Sequence, residues 1–518
     1  MYVQLHYYLL DVTNPSSTPL SETEQIVRLE GKLAWAERRI RVLEEILRLQ
    51  RIKKYGPGSE KLSSEQLELL ELEPGVSTVE VQAESQREPL PAPARQQKAR
   101  RHPGRQELPA ELPRVERVIV CEPEQCACPA CGQPTTVIGH EVSEQLDVEP
   151  AKYYVVVTKR EKRACPHCQG GGVTAAPAPA RIIDKGLVSD RVVIDTMVAK
   201  YSDHLPLYRQ SVILEREAGV EISRATMDGW VMTVGGLLIP VAAAMGRELV
   251  SGSYLQADET PVDVQMHDRR GRNHQAYLWQ YGRPGGSVVF DFRLGRGRDG
   301  PKAFLGGFEG LLQTDGYVAY DKVGGPKLVH AGCWAHSRRK FFEAHQLCPG
   351  ESAAKDIVLL IDRLFGIDAE ARARDFDLAA RDALRQQQAR PLLDTIKQQI
   401  QAARGRALPA SKLGSAITYT LTLWERLARF LDYPELELSN NLAENSMRPV
   451  ALGRKNWIHI GSPQAGPKVA AILSVVETCR RLHIPVREYL AAVLPGLSNV
   501  SIHRLHELTP AAWVARTR

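Results

Sequence analysis

Apolar positions change their period several times along the chain, and each change predicts a boundary. From 22 to 52 they fall at Ile26, Leu29, Leu33, Ala36, Ile40, Leu43 and Leu47, stepping alternately by three and four between mostly charged residues. That is an a/d seam, and it predicts a helix over 22–55 that zips to a second copy of itself. Trp35 is off the seam and is expected to bury elsewhere. Over 74–113 the period vanishes, and Pro89, Pro91, Pro93, Pro103, Pro109 and Pro113 mark a linker. A helical period returns over 187–248. The run through Val212, Ile213 and Leu214 ends at Gly219, and Ser223 caps a second helix carrying Arg224, Thr226, Asp228 and Trp230. The outline is that of a helix-turn-helix. Gly229 to Gly246 carries no charge, but Gly235, Gly236 and Pro240 interrupt it and its length is marginal for a membrane. A buried helix is the expectation there.

Between 250 and 343 short apolar stretches replace helices: Tyr254–Asp258, Ala276–Tyr281, Ser287–Arg293, Gly310–Asp315 and Lys327–Gly332. Pro261 is expected to limit ladder pairing beyond the first. Three strands in meander, then two flanked by helices, is a ribonuclease H-like order. Residues 352–435 read as helix throughout, with Ile417, Leu421, Trp424, Leu427 and Leu431 on one face, and 440–495 as helix again. The expected fold is therefore multidomain α+β. It comprises a coiled coil (22–55), a Pro-rich basic linker (74–113), a zinc ribbon (114–180) and helix-turn-helix-like helices (187–248). An α/β core (250–480) with an all-helical insertion (352–435) and a helical tail (481–518) follow.

Length supports this division, since 518 residues exceed one ordinary core. Lys and Arg number 67 against 61 Asp and Glu, a net charge of +6 that suits a nucleic-acid binder without demanding one. Arg95, Lys98, Arg100, Arg101 and Arg105 form an acid-free run that fits either a solvated tail or a phosphate contact. The first basic residue is Arg28, so the apolar start has no positive flank of the secretory kind. Four of nine cysteines form Cys128-Pro-Ala-Cys131 and Cys165-Pro-His-Cys168. Two such knuckles make a closed, tetrahedral, structural zinc site in a reducing cytosol. Cys126 competes with Cys128 as a ligand, and Cys121 is a weaker substitute. Between the knuckles, Tyr153–Val157 is strand-like and leads into Lys159, Arg160, Lys162 and Arg163.

Three acids stand where chemistry is expected. Asp258 follows Leu-Gln-Ala, Asp315 follows Leu-Gln-Thr 57 positions later, and Glu444 comes 129 after that in Asn-Asn-Leu-Ala-Glu. Carboxylates on rigid elements suit a pair of hard divalent ions, Mg²⁺ or Mn²⁺, roughly 3.5–4 Å apart for phosphodiester cleavage. In that reading Asp258 bridges both ions, Asp315 and Glu444 hold one each, and Glu259 is an alternative ligand. The plainer readings are turn acids and, for Glu444, a capping box from Asn441. His330, Cys333 and His336 offer metal ligands without a fourth, so a supporting role for His336 fits better. Arg338, Arg339 and Lys340 are candidate DNA clamps, as are Arg448, Arg454 and Lys455.

These motifs, in this order, resemble the large transposase of the bacterial insertion-sequence-sixty-six family. The resemblance rests on Leu-Gln-Ala-Asp258-Glu-Thr, Leu-Gln-Thr-Asp315-Gly-Tyr-Val-Ala-Tyr320, Cys333-Trp-Ala-His336-Ser-Arg-Arg-Lys-Phe and the stretch from Asn440 to Trp457. It also takes in Gly-Ser-Glu-Lys61, the zinc knuckles and Lys200 to Arg209, and it runs from about residue 25 to the C-terminus. It implies an Asp-Asp-Glu triad at Asp258, Asp315 and Glu444 on a ribonuclease H-like core, and cut-and-join of element ends into target DNA. Small accessory proteins and a cytoplasmic, nucleoid-associated setting follow from it, and Cys333 with His336 resembles a pair found between the second Asp and the Glu. Two other readings remain: a metal-dependent nuclease that cuts without joining, and a non-catalytic zinc-ribbon and coiled-coil DNA-binding protein.

Overall fold

The computed structural model describes residues 22–55, 152–164, 173–266, 272–348, 352–408 and 410–517, with 114–116, 118, 133–134 and 140. The linker 74–113 and all four expected zinc thiolates, with Cys121 and Cys126, lie outside the described residues. The chain divides into two compact units, 91–158 and the remainder.

In the smaller unit the described residues include 152–158. The strand expected at Tyr153–Val157 is not formed among the described residues, and Tyr154, Val155 and Val157 of this apolar run are largely exposed there. In the larger unit, β1 (Lys162–Ala164) and β2 (Val173–Ala175) make a short antiparallel pair. The expected zipper helix is present as α1 (Glu22–Tyr55). Its seam is open to solvent in the single chain, Leu29 being 64% and Leu33 61% exposed. Trp35, expected to bury, is 65% exposed.

Three helices follow: α2 (Asp190–Tyr201), α3 (Leu207–Ala218) and α4 (Arg224–Val250). Gly219 ends α3 at φ 65°, a left-handed cap, and Ser223 Oγ accepts from Thr226 N–H at 3.1 Å to start α4. The buried helix expected over 229–246 is present. α4 runs unbroken through Pro240, because Trp230, Val231, Val234, Leu238, Val241 and Met245 bury along it and packing outweighs the lost hydrogen bond. Among the described residues this is the helix long and apolar enough to cross a membrane by composition, and more than half of its apolar window is buried inside the protein. A Cβ on Gly235 would lie 2.7 Å from Lys468 Cβ, so that position sets the closest approach of α4 to a later helix.

The sheet holds β3 (Tyr254–Val264), β4 (His274–Gly282), β5 (Val288–Arg293), β6 (Leu311–Gln313) and β7 (Val329–Ala331), in spatial order β5-β4-β3-β6-β7. β3–β4 and β4–β5 are antiparallel, whereas β3–β6 and β6–β7 are parallel. α5 (Asp299–Leu305) links β5 to β6. Pairing of β3 with β4 continues past Pro261, which opposes Tyr277, to Val264. Pro261 turns its carbonyl away from β4 to accept from Arg454, so the missing N–H falls on the outer edge and costs the ladder nothing.

The two faces of the sheet feed different cores. Leu255, Ala257 and Leu312 join a cluster that includes Ile194, Trp230, Ile472 and Leu490. Tyr254 and Leu311 join the other, with α6 (Trp334–Leu347) and the helices after it. Those are α7 (Ser352–Ala373), α8 (Leu378–Leu384), α9 (Arg390–Arg404), α10 (Lys412–Thr422) and α11 (Trp424–Ala428). Helical character over 352–435 is as expected, and Ile361, Phe365, Ile396 and Ile400 give that block an apolar centre. α12 (Asn441–Trp457), α13 (Gly466–Arg481), α14 (Val486–Val493) and α15 (Pro510–Thr517) complete the chain. Between α12 and α13, Ile460 bridges Val264 in parallel, exchanging bonds with Asp263 O and Gln265 N at 2.8 and 2.9 Å.

Candidate active site

Pairing of β3 with β6 ends at Gln256 and Gln313. Asp258 and Asp315 each come two residues later, where two parallel strands have just parted. Acids there are delivered by rigid backbone to one end of the sheet. Asp258 Oδ1 accepts from Glu259 N–H at 2.9 Å, and Asp315 Oδ1 accepts from Tyr317 N–H at 2.8 Å.

The two glutamines also bring in the third acid. Gln256 Nε2 donates to Gln313 Oε1 (3.1 Å), to Tyr254 Oη (3.0 Å) and to Ser439 O (3.1 Å). Gln313 Nε2 donates to Gly332 O (3.0 Å) and Glu437 O (2.7 Å). All of these groups are buried, so each bond is costly to leave unmade. The bonds fix residues 437–439 just before α12, while the Ile460 bridge fixes the chain just after it. Glu444 therefore enters on a helix tethered to β3 at both ends. A polar cluster holds the approach. Arg385, fully buried, pairs with Asp368 at 2.6 Å and donates to Phe430 O and Leu436 O, and Arg381 pairs with both Asp368 and Glu437.

The three acids share one electrostatic environment. Burial first, then the charges of Glu444, Glu259 and Asp315, hold the Asp258 carboxyl well above the usual carboxylate range. Mutual repulsion of that kind is what a bound cation relieves. Glu259 is committed elsewhere: Oε1 accepts from Arg296 at 2.6 and 3.0 Å and Oε2 from Tyr320 at 3.0 Å. Arg296 stacks over the Tyr317 ring at 4.1 Å. Glu444 does not make the capping box. The helix cap is Asn440, without a side-chain bond, and the Glu444 carboxylate meets His336 Nδ1 at 3.5 Å and Arg339 at 3.3 Å.

The remaining candidates separate. Cys333 is buried at the start of α6, and His336 lies one turn on. His330 is outside the cluster these two form with Glu444, its pKa lowered by burial and then by the charge of Arg426. Arg338, expected in the clamp, is instead buried in an ion pair with Asp362 (2.5 Å). Lys340 sits 4.5 Å from the centre of the Tyr419 ring, whose hydroxyl donates to Asp315 O. Arg448 is half-buried, Arg454 donates to Pro261 O, and Lys455 is exposed. Sequence reasoning passed over Gln256 and Gln313, although a glutamine two residues before each aspartate was a repeated signal. It also passed over Arg296, Tyr419 and the Asp368–Arg385 cluster, which no local pattern marks.

Known protein families match most of the chain. The profile of the family described as Transposase IS66 matches residues 185–468. The zinc-finger binding domain of transposase IS66 matches 125–169, and the domain described as Transposase C of IS166 homeodomain matches 42–117. The uncharacterized protein y4qI of Sinorhizobium fredii is 34% identical over 92% of this chain and 89% of its own length. The uncharacterized proteins y4hP and y4jD of the same organism are 30% and 32% identical over 80% and 79% of the chain.

Proposed function

The chain belongs to the IS66 transposase family, and from that premise we propose that it cuts DNA at element ends and joins them to a target with Asp258, Asp315 and Glu444 as its metal-binding triad. The observation that supports this is that the buried Asp258 carboxyl feels the charges of both Glu444 and Asp315, on elements that the Gln256 and Gln313 bonds hold together. The strand order, with three antiparallel strands and two parallel ones beside the central β3, supports a ribonuclease H-like core.

The three carboxylates would hold two Mg²⁺ ions, and their hard oxygen donors with a raised Asp258 pKa fit that group. When bound, such a pair activates the attacking hydroxyl and neutralises the leaving oxygen. The chain's own residues do the positioning. Arg296 keeps Glu259 off the metal side, and Tyr419 holds the backbone of Asp315. Arg339 orients Glu444, while Lys340 and Lys455 would meet phosphates. The first turn of α4, with exposed Arg224 and Thr226, is available to a groove. The open α1 seam supports self-association. A zinc ribbon at Cys128, Cys131, Cys165 and Cys168 would add a second DNA contact, and small accessory proteins are expected partners.

The test uses full-length protein and a duplex ending in the element's own terminal repeat, in Mg²⁺. Asp258→Ala, Asp315→Ala and Glu444→Gln should each abolish strand cleavage, and the parent should join the freed 3′-end to a second duplex. Cleavage retained in all three would refute the triad. Cleavage without joining would make the protein a nuclease.

A further inference from the structure

One cluster beside the triad contains softer ligands than Mg²⁺ chemistry requires. Cys333 Sγ, a ring nitrogen of His336 and a carboxylate oxygen of Glu444 all lie within 4.8 Å of one another. They come from two elements, Cys333 and His336 from the first turn of α6 and Glu444 from α12. The i, i+3 spacing puts thiol and imidazole on one face of the helix start. His336 Nδ1 is buried and has no hydrogen-bond partner among the described residues. Arg339 engages Glu444 Oε2, while Oε1 faces His336. The thiol has the surroundings of a metal thiolate. Asn440 N–H donates to Sγ at 3.4 Å, and the N–H groups of His336 and Ala335 also favour its charged form. Burial nevertheless pushes the free thiol up to about 12, so without a cation it stays protonated.

Thiolate, imidazole and carboxylate together select a borderline ion over a hard one. We propose that Cys333, His336 and Glu444 form a Zn²⁺ site that competes with the catalytic ions for Glu444. Binding releases the thiol proton to solvent and leaves a fourth position to water. Because Glu444 serves only one site at a time, zinc there switches strand cleavage off. The site therefore regulates the triad and rests on the function proposed above.

Two readouts separate this inference from that reading. The first is zinc content of the full chain equilibrated with micromolar zinc chloride, without Mg²⁺ or DNA. The parent should hold one equivalent more than Cys333→Ala or His336→Asn, whatever the ribbon contributes to all three. Equal content in parent and both folded variants overturns the site, whether or not the protein cleaves DNA. The second is zinc inhibition of Mg²⁺-dependent cleavage. The half-inhibiting zinc concentration should rise about tenfold or more in either variant, since even outer-shell changes weaken metal binding by about 10–100-fold. Inhibition equally strong in parent and variants assigns zinc to the aspartates and overturns the switch.

Discussion

Gln313→Leu tests how the third acid is held. Leucine fills nearly the same volume but removes two donors and an acceptor from a site with no solvent exposure. Gly332 O and Glu437 O lose their bonds of 3.0 and 2.7 Å, and nothing of leucine's replaces them. Tyr254 and Gln256 keep one another, so their loss is partial. Two orphaned carbonyls at roughly 1–3 kcal/mol each give about 2–6 kcal/mol. Against the roughly 5–15 kcal/mol that holds a typical domain, a loss of about 4 should lower Tm by about 8–16 °C. The effect on chemistry should be larger than stability accounts for, because Glu437 is seven residues from Glu444. A displacement of about 1 Å at a reacting group costs on the order of a hundredfold in rate. The control is Gln210→Leu, which removes the bonds of Gln210 Nε2 to Thr196 O and to the part-buried Leu205 O, far along the chain from the triad. Both variants should melt early in scanning calorimetry. Only Gln313→Leu should cleave slowly per folded molecule at saturating DNA and 20 °C below its own melting point. An unchanged melt refutes the hydrogen-bond account, and parental cleavage by folded Gln313→Leu refutes the positioning role.

Two further outcomes follow from buried charge. Asp258 has its folded pKa raised by burial and then by Glu444, so its stabilising contribution is complete below the unfolded value, about 3.9, and is lost as pH rises through the folded value. Metal-free protein should therefore weaken from about pH 4 upward, Asp258→Asn should flatten that slope, and Mg²⁺ should restore the parent alone; identical melts in EDTA across pH would refute the coupling. Asp368, held below the usual carboxylate range by Arg385 and Arg381 against burial, should cost about 3–5 kcal/mol as Asp368→Ala because buried Arg385 loses its carboxylate partner and Arg381 one of its two. Adding Arg385→Met should recover part of that loss by urea titration, and a purely additive double variant would show that the two residues do not act as a pair.

The legible parts of the molecule were those written in short-range pattern. The 3–4 spacing of α1, the Gly219 and Ser223 caps and the five short strands all came from residues within one turn or strand of each other. Asp258 and Asp315 were legible for the same reason, since an acid after an apolar run states its own position. Partners distant in sequence were not legible. Gln256 meets Ser439 across 183 residues, and nothing near Arg385 says that it will be buried on Asp368 beneath Leu436. Arg338 shows the converse: its Arg-Arg-Lys run reads as a surface patch, yet the α6 face carrying Arg338 turns inward to Asp362. Pro261 was overestimated as a breaker because the cost of a missing N–H depends on what lies on that side of the backbone.

The tethering of α12 at both ends has a consequence for synthesis. Gln256 cannot meet Ser439, nor Val264 meet Ile460, until those later residues have left the ribosome. By then the aspartates and the whole helical insertion have long been made. A chain interrupted in the insertion is thus released with two acids and no third. The stretch from Glu437 to Ile460 is a late-made piece on which the closing of the fold around the two aspartates depends.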